Sequence, residues 1–256
     1  MLFKKNKSRQ NNANPNVEMT VLTEQSPWAI QEAYKVLRTN ILFSLPGEGH
    51  RVIAVTSAFS SDGKTTNAVN MAIAMGKLDK KVLLIDCDMR KPSVGNMLGI
   101  HAIPGLSETL AGLNKMEDVI QYDEEVNIDV ITAGSIPPDP TLLLQGGAMS
   151  GLLEKVKEEY DYVILDFPPV TTVTDAVLLA DSVDGYLIVV RHRRTDYRAV
   201  VDTVEQLQFA KAAIIGFIYN DYSLENKKYS YGYGKYRIRG YGYGYGYRSG
   251  KKPNEE

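Results

Sequence analysis

Apolar residues fall along this chain in two rhythms. Short runs rich in Val, Ile and Leu occupy Val52–Thr56, Lys81–Asp86, Ile128–Thr132, Tyr162–Asp166, Tyr186–Val190 and Ala213–Tyr219. Runs that are apolar at successive positions predict strands buried on both faces. Between them, helical spacing predicts Trp28–Leu45, a helix from Lys64 onward, Met149–Glu159 and Asp196–Phe209, with shorter pieces at Val94–Leu98, Leu106–Ala111 and Thr174–Ala180. Ser26-Pro27 reads as an N-cap followed by Pro at the first helical position. In the helix that follows, Ile30, Ala33, Leu37 and Ile41 share one face, with Glu32, Lys35 and Arg38 on another arc. Gly134 to Pro140 reads as a rigid loop. Strands alternating with helices imply an α/β fold, a mostly parallel sheet with helices on both faces. In such sheets a ligand sits at the carboxyl ends of the strands.

Composition sets the boundaries of this pattern. Residues 1–25 are polar, Asn-rich and unpatterned, and are expected to be flexible. Residues 26–222 carry the strand–helix alternation, and at 44% hydrophobic the chain has enough apolar residues for one sizeable core. From residue 223 the sequence turns to alternating Tyr and Gly with interspersed Lys and Arg, which cannot pack a core and is expected to be a disordered tail. The net charge of -2 argues for neither an acidic nor a basic partner. A single cysteine, Cys87, excludes an internal disulfide and fits a reducing compartment. The start, MLFKKNKSRQNN, lacks the apolar run of a signal peptide. No stretch approaches the roughly 20 apolar residues that span a bilayer, so any membrane location is expected to come through another chain. His50, His101 and His192 are scattered without ligand spacing, which argues against a transition-metal site.

Candidate chemistry concentrates where the first predicted strand meets its helix, in Arg51 to Asn70, RVIAVTSAFSSDGKTTNAVN. A buried strand, a small-residue loop and a helix opening Gly63-Lys64-Thr65 form a phosphate-binding P-loop. Backbone N–H groups at a helix N-terminus favour an anion, which makes Ser60, Ser61, Asp62, Gly63, Lys64, Thr65 and Thr66 the candidate nucleotide-binding residues. Lys64 is expected to reach the β- and γ-phosphates and Thr65 to meet Mg²⁺. The usual pattern begins with Gly, and this chain has Ala58 there. Asn220, just past the last strand, is a candidate for the adenine edge. Arg193 and Arg194 follow a strand and read as surface charge.

Two further strand ends carry carboxylates. Leu83-Leu84-Ile85-Asp86-Cys87-Asp88-Met89-Arg90 places two acids and a guanidinium past one strand, and Val163-Ile164-Leu165-Asp166-Phe167-Pro168-Pro169 places a third acid past another. Lone Asp residues in such places are usually turn formers. Three of them sharing a sheet edge with a P-loop would repel one another, a conflict that Mg²⁺, Lys64 and Arg90 together would resolve. Thr65, Asp86, Asp88 and Asp166 are accordingly the candidate metal-site residues, since Mg²⁺ takes oxygen ligands. Three acids exceed what the metal requires, and phosphate transfer to a hydroxyl needs a base. Asp86 is the candidate base, making Lys64, Asp86, Asp88 and Arg90 the candidate catalytic set.

These motifs, in this order, resemble the bacterial tyrosine kinases of capsule and exopolysaccharide synthesis, P-loop proteins with Walker A, A′ and B motifs. The likeness runs from the helix at Glu32 through the last predicted strand, and the tail matches too. The resemblance implies a P-loop NTPase-type fold, ATP and Mg²⁺ as cofactors, and autophosphorylation of a C-terminal cluster, here Tyr229, Tyr231, Tyr233, Tyr236, Tyr241, Tyr243, Tyr245 and Tyr247. It also implies a membrane-anchored activator, a phosphotyrosine phosphatase, and a cytoplasmic location at the inner face of the membrane through that activator. Phosphorylation between subunits of a homo-oligomer is implied as well, through a helix whose family motif is E-x-x-R-x-x-R. Here those positions are Glu32, Lys35 and Arg38, so a planar fork is lost at the second. From the residues alone the same triplet is equally a solvated face. A further departure is Ser60-Ser61-Asp62-Gly63-Lys64 where the family reads P-G-E-G-K. If position 61 needs a left-handed backbone, Ser there costs on the order of 1 kcal/mol.

By itself the tail also reads as an aromatic-basic binder of single-stranded nucleic acid. Beside an ATP site it is better read as the phosphate acceptor, with no nucleic-acid partner. A coil of about 25 residues spans on the order of 25–30 Å, enough to reach its own site or a neighbour's. The tail's Lys and Arg outnumber its acids, so it is attracted to an acid-lined site, and each phosphate adds about -1.5 to -2. The rival reading is a spatial-regulator ATPase of the septum-placement or partition type without kinase activity. Those proteins carry an early P-loop Lys where this chain has Phe59. A third reading is an inactive scaffold bearing a tyrosine tail.

Overall fold

The computed structural model describes residues 21–46 and 50–222. In chain order the elements are α1 (Trp28–Ser44), β1 (Arg51–Ser57), α2 (Lys64–Gly76), β2 (Val82–Asp86), α3 (Val94–Leu98), α4 (Leu106–Leu110), α5 (Met116–Val119), β3 (Gln121–Asp123) and β4 (Ile128–Ile131). They continue with α6 (Pro140–Gln145), α7 (Gly147–Glu159), β5 (Tyr162–Asp166), α8 (Asp175–Leu178), β6 (Gly185–Arg191), α9 (Tyr197–Phe209) and β7 (Ile214–Asn220). The sheet has seven strands in the order β3-β4-β2-β5-β1-β6-β7. Every pairing is parallel except β3 with β4.

Alternate residues of the central strands point into two separate cores. Val52 and Ala54 of β1, Leu83 and Ile85 of β2, and Val163 and Leu165 of β5 pack with α4 to α9. Ile53 and Val55, Val82 and Leu84, and Ile164 pack with α1, α2 and α3. Strands apolar at every position are thus covered on both faces, as two-sided burial requires. The six long strands stand where the apolar runs place them. The three-residue edge strand β3 is an addition; half polar and antiparallel, it gives no period-two signal long enough to read.

Several expectations are corrected. The inner face of α1 is turned from the predicted one: Ala33 is exposed and Ile30 is 40% exposed, while Tyr34, Leu37 and Ile41 face α2. Tyr34 wins its inward place through its hydroxyl, which donates to Asn67 Oδ1 and accepts from Asn70 Nδ2, both at 3.2 Å. The Ser26 side chain does not cap α1. Its Oγ accepts from the Thr23 backbone N–H at 3.0 Å, and Pro27 is the capping residue. The described end of the segment read as flexible is tied down: Leu22 is buried and its N–H donates to Asn70 Oδ1 at 2.7 Å. The loop from Gly134 ends in a helix, because Asp139 caps α6 by accepting from Thr141 N at 3.0 Å and Pro140 suits the first helical position. The tail tyrosines lie outside the described residues. Among the described residues no helix is long and apolar enough to cross a membrane.

One carboxylate fastens the loops beyond β4. Glu108 of α4 accepts from Gly105 N at 2.8 Å and Ser107 Oγ at 3.1 Å, and from Ser135 N at 3.1 Å. Burial works to raise its pKa, but the hydrogen bonds from Ser135 and Gly105 outweigh this and hold it below the usual range. A depressed carboxylate stabilises the fold above its unfolded value and stops doing so as pH falls through its folded value. Replacing Glu108 by Gln is expected to cost about 1–2 kcal/mol at neutral pH. In urea unfolding series, that difference from the unaltered chain closes as pH drops below the ordinary Glu value of 4.5.

Candidate active site

The three central strands deliver the candidate chemistry to one edge. β2 and β5 run in register so that Asp86 pairs with Asp166, and Val55 of β1 pairs with the same Asp166. Both acids therefore stand at the carboxyl edge beside the loop that leaves β1. All three carboxylates are buried: Asp86 and Asp166 are 0% exposed and Asp88 is 3% exposed.

Lys64, at the first position of α2, is the cation that gathers them. Its Nζ lies 2.7 Å from Asp88 Oδ2, 3.8 Å from Asp166 Oδ1 and 3.4 Å from Thr65 Oγ1. Thr65 Oγ1 donates to Asp166 Oδ2 at 2.6 Å and accepts from Ser93 Oγ at 3.0 Å. Asp86 organises the loop after β2, accepting from Asp88 N at Oδ1 and from Ser93 N and Val94 N at Oδ2, each at 3.1 Å. Asp88 Oδ1 accepts from Lys91 N at 3.0 Å.

Burial disfavours the charged forms of the two strand-end acids, Asp86 and Asp166. Burial pushes Asp86 up to about 7, with the Asp166 charge adding to it and the N–H groups of Val94 and Ser93 opposing. Asp166 is also raised, first by burial, against the pull of Lys64 and the Thr65 hydroxyl. Burial works to lower Lys64, but the Asp166 and Asp88 carboxylates outweigh it, so the ammonium is held above its usual range. Buried Cys87, in the same loop, is pushed well up by burial and the surrounding acids and carries no thiolate chemistry.

Arg90 does something other than expected. It turns away from the three acids and grips Asp175, at the start of α8, through Nε at 3.1 Å and Nη2 at 3.2 Å, with Nη2 also on Thr141 Oγ1 at 3.1 Å. Charge balance among Asp86, Asp88 and Asp166 therefore rests on Lys64. Asp175 is fully buried, and sequence reading missed it; its one signal is an acid at the start of a short apolar helix a few residues past the Pro168-Pro169 turn.

In the P-loop, Gly63 has φ 98° and sits against Asn220, whose Nδ2 would be 2.1 Å from any Cβ there. No other residue type meets both demands. Ser61 adopts φ 67°, at a cost on the order of 1 kcal/mol for a non-glycine residue. Asp62 is buried and accepts from Phe59 N at 3.0 Å. Ser60 and Ser61 are exposed and Thr66 is half-buried. Asn220, expected at an adenine edge, donates through Nδ2 to the Asp62 carbonyl at 2.8 Å and so also ties down the loop. Arg191, which sequence reading passed over, reaches the Ser61 carbonyl through Nη1 at 3.0 Å. Arg193 and Arg194 are exposed. On α1, Lys35 pairs with Glu32 at 3.2 Å on the surface, and Arg38 Nη1 donates to the Ala74 carbonyl at 3.0 Å.

The donor set suits Mg²⁺ in chemistry. Asp166 Oδ1 is buried without a hydrogen-bond donor, and the neighbouring groups are carboxylate and hydroxyl oxygens. Among the described residues no three His, Cys, Asp or Glu side chains form a ready-made cage. Mg²⁺ does not require one, since it keeps several waters and takes one or two carboxylates plus phosphate oxygens.

A parallel sheet with a Lys-Thr P-loop at the edge where the carboxylates gather defines a P-loop nucleotide-binding protein. Residues 50–215 match the family model described as an AAA domain. Among characterised proteins, the chain is 34% identical over 214 residues to the tyrosine-protein kinase YwqD of Bacillus subtilis, covering 83% of this chain and 90% of that one. It superposes on the kinase domain of the Escherichia coli tyrosine kinase Etk with a TM-score of 0.72 at 34% identity, over 79% of this chain and 80% of that one. The chain belongs to the bacterial tyrosine-protein kinases of the capsule and exopolysaccharide type. A cobyrinic acid a,c-diamide synthase from Mycobacterium smegmatis, solved with an ATP analogue and magnesium, shares the fold more distantly. Its TM-score is 0.59 at 18% identity, over 66% of this chain and 72% of that one.

The Arg90–Asp175 pair is asymmetric, because the Arg90 side chain is 37% exposed and that of Asp175 is 0% exposed. Replacing Arg90 by Ala strands a buried charge and is expected to cost about 3 kcal/mol. Replacing Asp175 by Asn leaves the cation near water and should cost only about 1 kcal/mol. Denaturant midpoints of the two variants measure the difference.

Proposed function

We propose that this kinase uses Mg²⁺-ATP to phosphorylate the tyrosines of its own C-terminal cluster, between subunits of a homo-oligomer, and that this phosphorylation regulates capsular or exopolysaccharide synthesis and export. The observation that carries the reading is the meeting of Lys64, Thr65, Asp88 and Asp166 at the sheet edge. Kinship with tyrosine kinases supports a phenol as the acceptor.

In this scheme Lys64 and the P-loop N–H groups, Ser60 to Thr66, hold the triphosphate, and Thr65, Asp88 and Asp166 are the groups toward Mg²⁺, with Asp86 close behind. The metal, when bound, draws charge from the phosphate oxygens. The tyrosine oxygen bonds to the γ-phosphorus as the bond to the β,γ-bridging oxygen breaks, ADP leaves, and the phenol proton passes to Asp86. Asp86 is assigned this part because three acids exceed what the metal requires, and transfer to a hydroxyl needs a base. Arg90, on Asp175, stiffens the loop that carries Asp86 and Asp88.

The remaining assignments are proposals of the same kind. Glu32, Lys35 and Arg38 contribute to the contact between copies, with Arg38 shared with its own α2. A membrane-anchored activator places the chain at the inner face of the membrane, and a phosphotyrosine phosphatase resets the tail.

Incubation with ATP and Mg²⁺ followed by mass spectrometry is expected to find phosphotyrosine within Tyr229–Tyr247. Replacing Lys64 by Met should lower it at least about a hundredfold. ATP hydrolysis without phosphotyrosine, with a candidate activator present, would overturn the proposal in favour of a regulator ATPase. Because phosphates reverse the tail's charge, association of copies is expected to weaken as phosphorylation proceeds. Sedimentation of phosphorylated and phosphatase-treated protein at low salt checks this, and equal association contradicts it.

A further inference from the structure

We propose that Arg191 is a positioning residue for the nucleotide loop, offsetting the unfavourable backbone of Ser61. The inference rests on the nucleotide-site reading and extends it to a residue with no phosphate role.

Two consecutive carbonyls of the P-loop are held from the strands on the β6 side of β1. Arg191 Nη1 donates to the Ser61 carbonyl at 3.0 Å, and Asn220 Nδ2 donates to that of Asp62 at 2.8 Å. Both donors stand on the last residues of neighbouring parallel strands, β6 and β7, which pair at Arg191 and Asn220. The corner around them is itself fixed. Thr195 Oγ1 accepts from Arg191 N at 2.7 Å, and the Asn220 carbonyl accepts from His192 N at 2.9 Å. Arg191 Nε donates to Asp221 Oδ2 at 3.0 Å, which orients the guanidinium. The Arg191 side chain is 24% exposed, so its contacts are partly shielded from water.

Ser61 needs that support because its φ of 67° lies in the left-handed region, which favours glycine. A serine loop without a splint spreads over other conformations. Apparent affinity then falls in proportion to the fraction that remains competent. A carbonyl held by a guanidinium on a rigid strand end removes much of that loss. Glycine at the same position makes the splint largely redundant, since it adopts φ > 0 without penalty. This dependence separates a splint from a charge: a guanidinium that merely attracted phosphate would matter equally with Ser or Gly at 61.

The test is binding of a fluorescent ADP analogue with Mg²⁺ to the full chain and to R191Q, S61G, and the double variant, each checked for an unchanged unfolding temperature. R191Q alone is expected to weaken binding about fivefold to tenfold. In the S61G background the same change should cost less than about twofold, because the left-handed penalty is gone. R191K, which keeps the charge but loses the fork, should fall between R191Q and the unaltered chain. Equal weakening by R191Q in both backgrounds overturns the proposal, and so does no weakening in either. Should R191Q unfold, the S61G/R191Q pair is replaced by D221N against S61G/D221N, with the same expected pattern at smaller size. If the unaltered chain binds no analogue, the nucleotide reading itself fails and takes the inference with it; if it binds and R191Q matches it, only the inference fails.

Discussion

The whole arrangement depends on one buried ammonium. Asp86, Asp88 and Asp166 are removed from water at a single sheet edge, where like charges repel one another with little screening. Lys64 is what makes that concentration of acid tolerable, and it reaches Asp88 and Asp166 because α2 begins where β1 ends. A buried pair of this kind adds little net stability compared with apolar packing. In the proposed scheme its value is in function: the same ammonium and the same oxygens are the groups offered to a metal-bound triphosphate.

The fold supplies the placement and little else is needed for it. Strand order β2-β5-β1 brings the ends of three sequence-distant strands side by side, and parallel register aligns Asp86 with Asp166. The loops are then tied back by partners outside the motifs. Asp175 holds Arg90, Asn220 holds Asp62, Arg191 holds Ser61 and Glu108 holds Ser135. The loops of the candidate site are thus stiffened by side chains from several different elements.

This division explains what could be read from the residues. The long strands and the P-loop were legible because two-sided burial and a Gly-Lys-Thr turn leave local signatures. The inner face of α1 was not, because Tyr34 looks as polar as its neighbours until Asn67 and Asn70 meet its hydroxyl. Arg90 was expected to help balance the motif acids because Asp86 and Asp88 precede it by only a few residues, whereas Asp175 lies far along the chain. Edge strand β3 was missed because three residues give no period. The roles of Arg191 and Asn220 depend on strands that meet only in three dimensions. A rule about spacing cannot see them.

The account is tested most directly by the structure of the chain crystallised with Mg²⁺ and a non-hydrolysable ATP analogue. It predicts Lys64 released from Asp88 and turned onto phosphate oxygens, with metal density beside Thr65 and the side chains of Asp88 and Asp166. Nucleotide bound elsewhere, with the 2.7 Å contact between Lys64 and Asp88 intact, would contradict it.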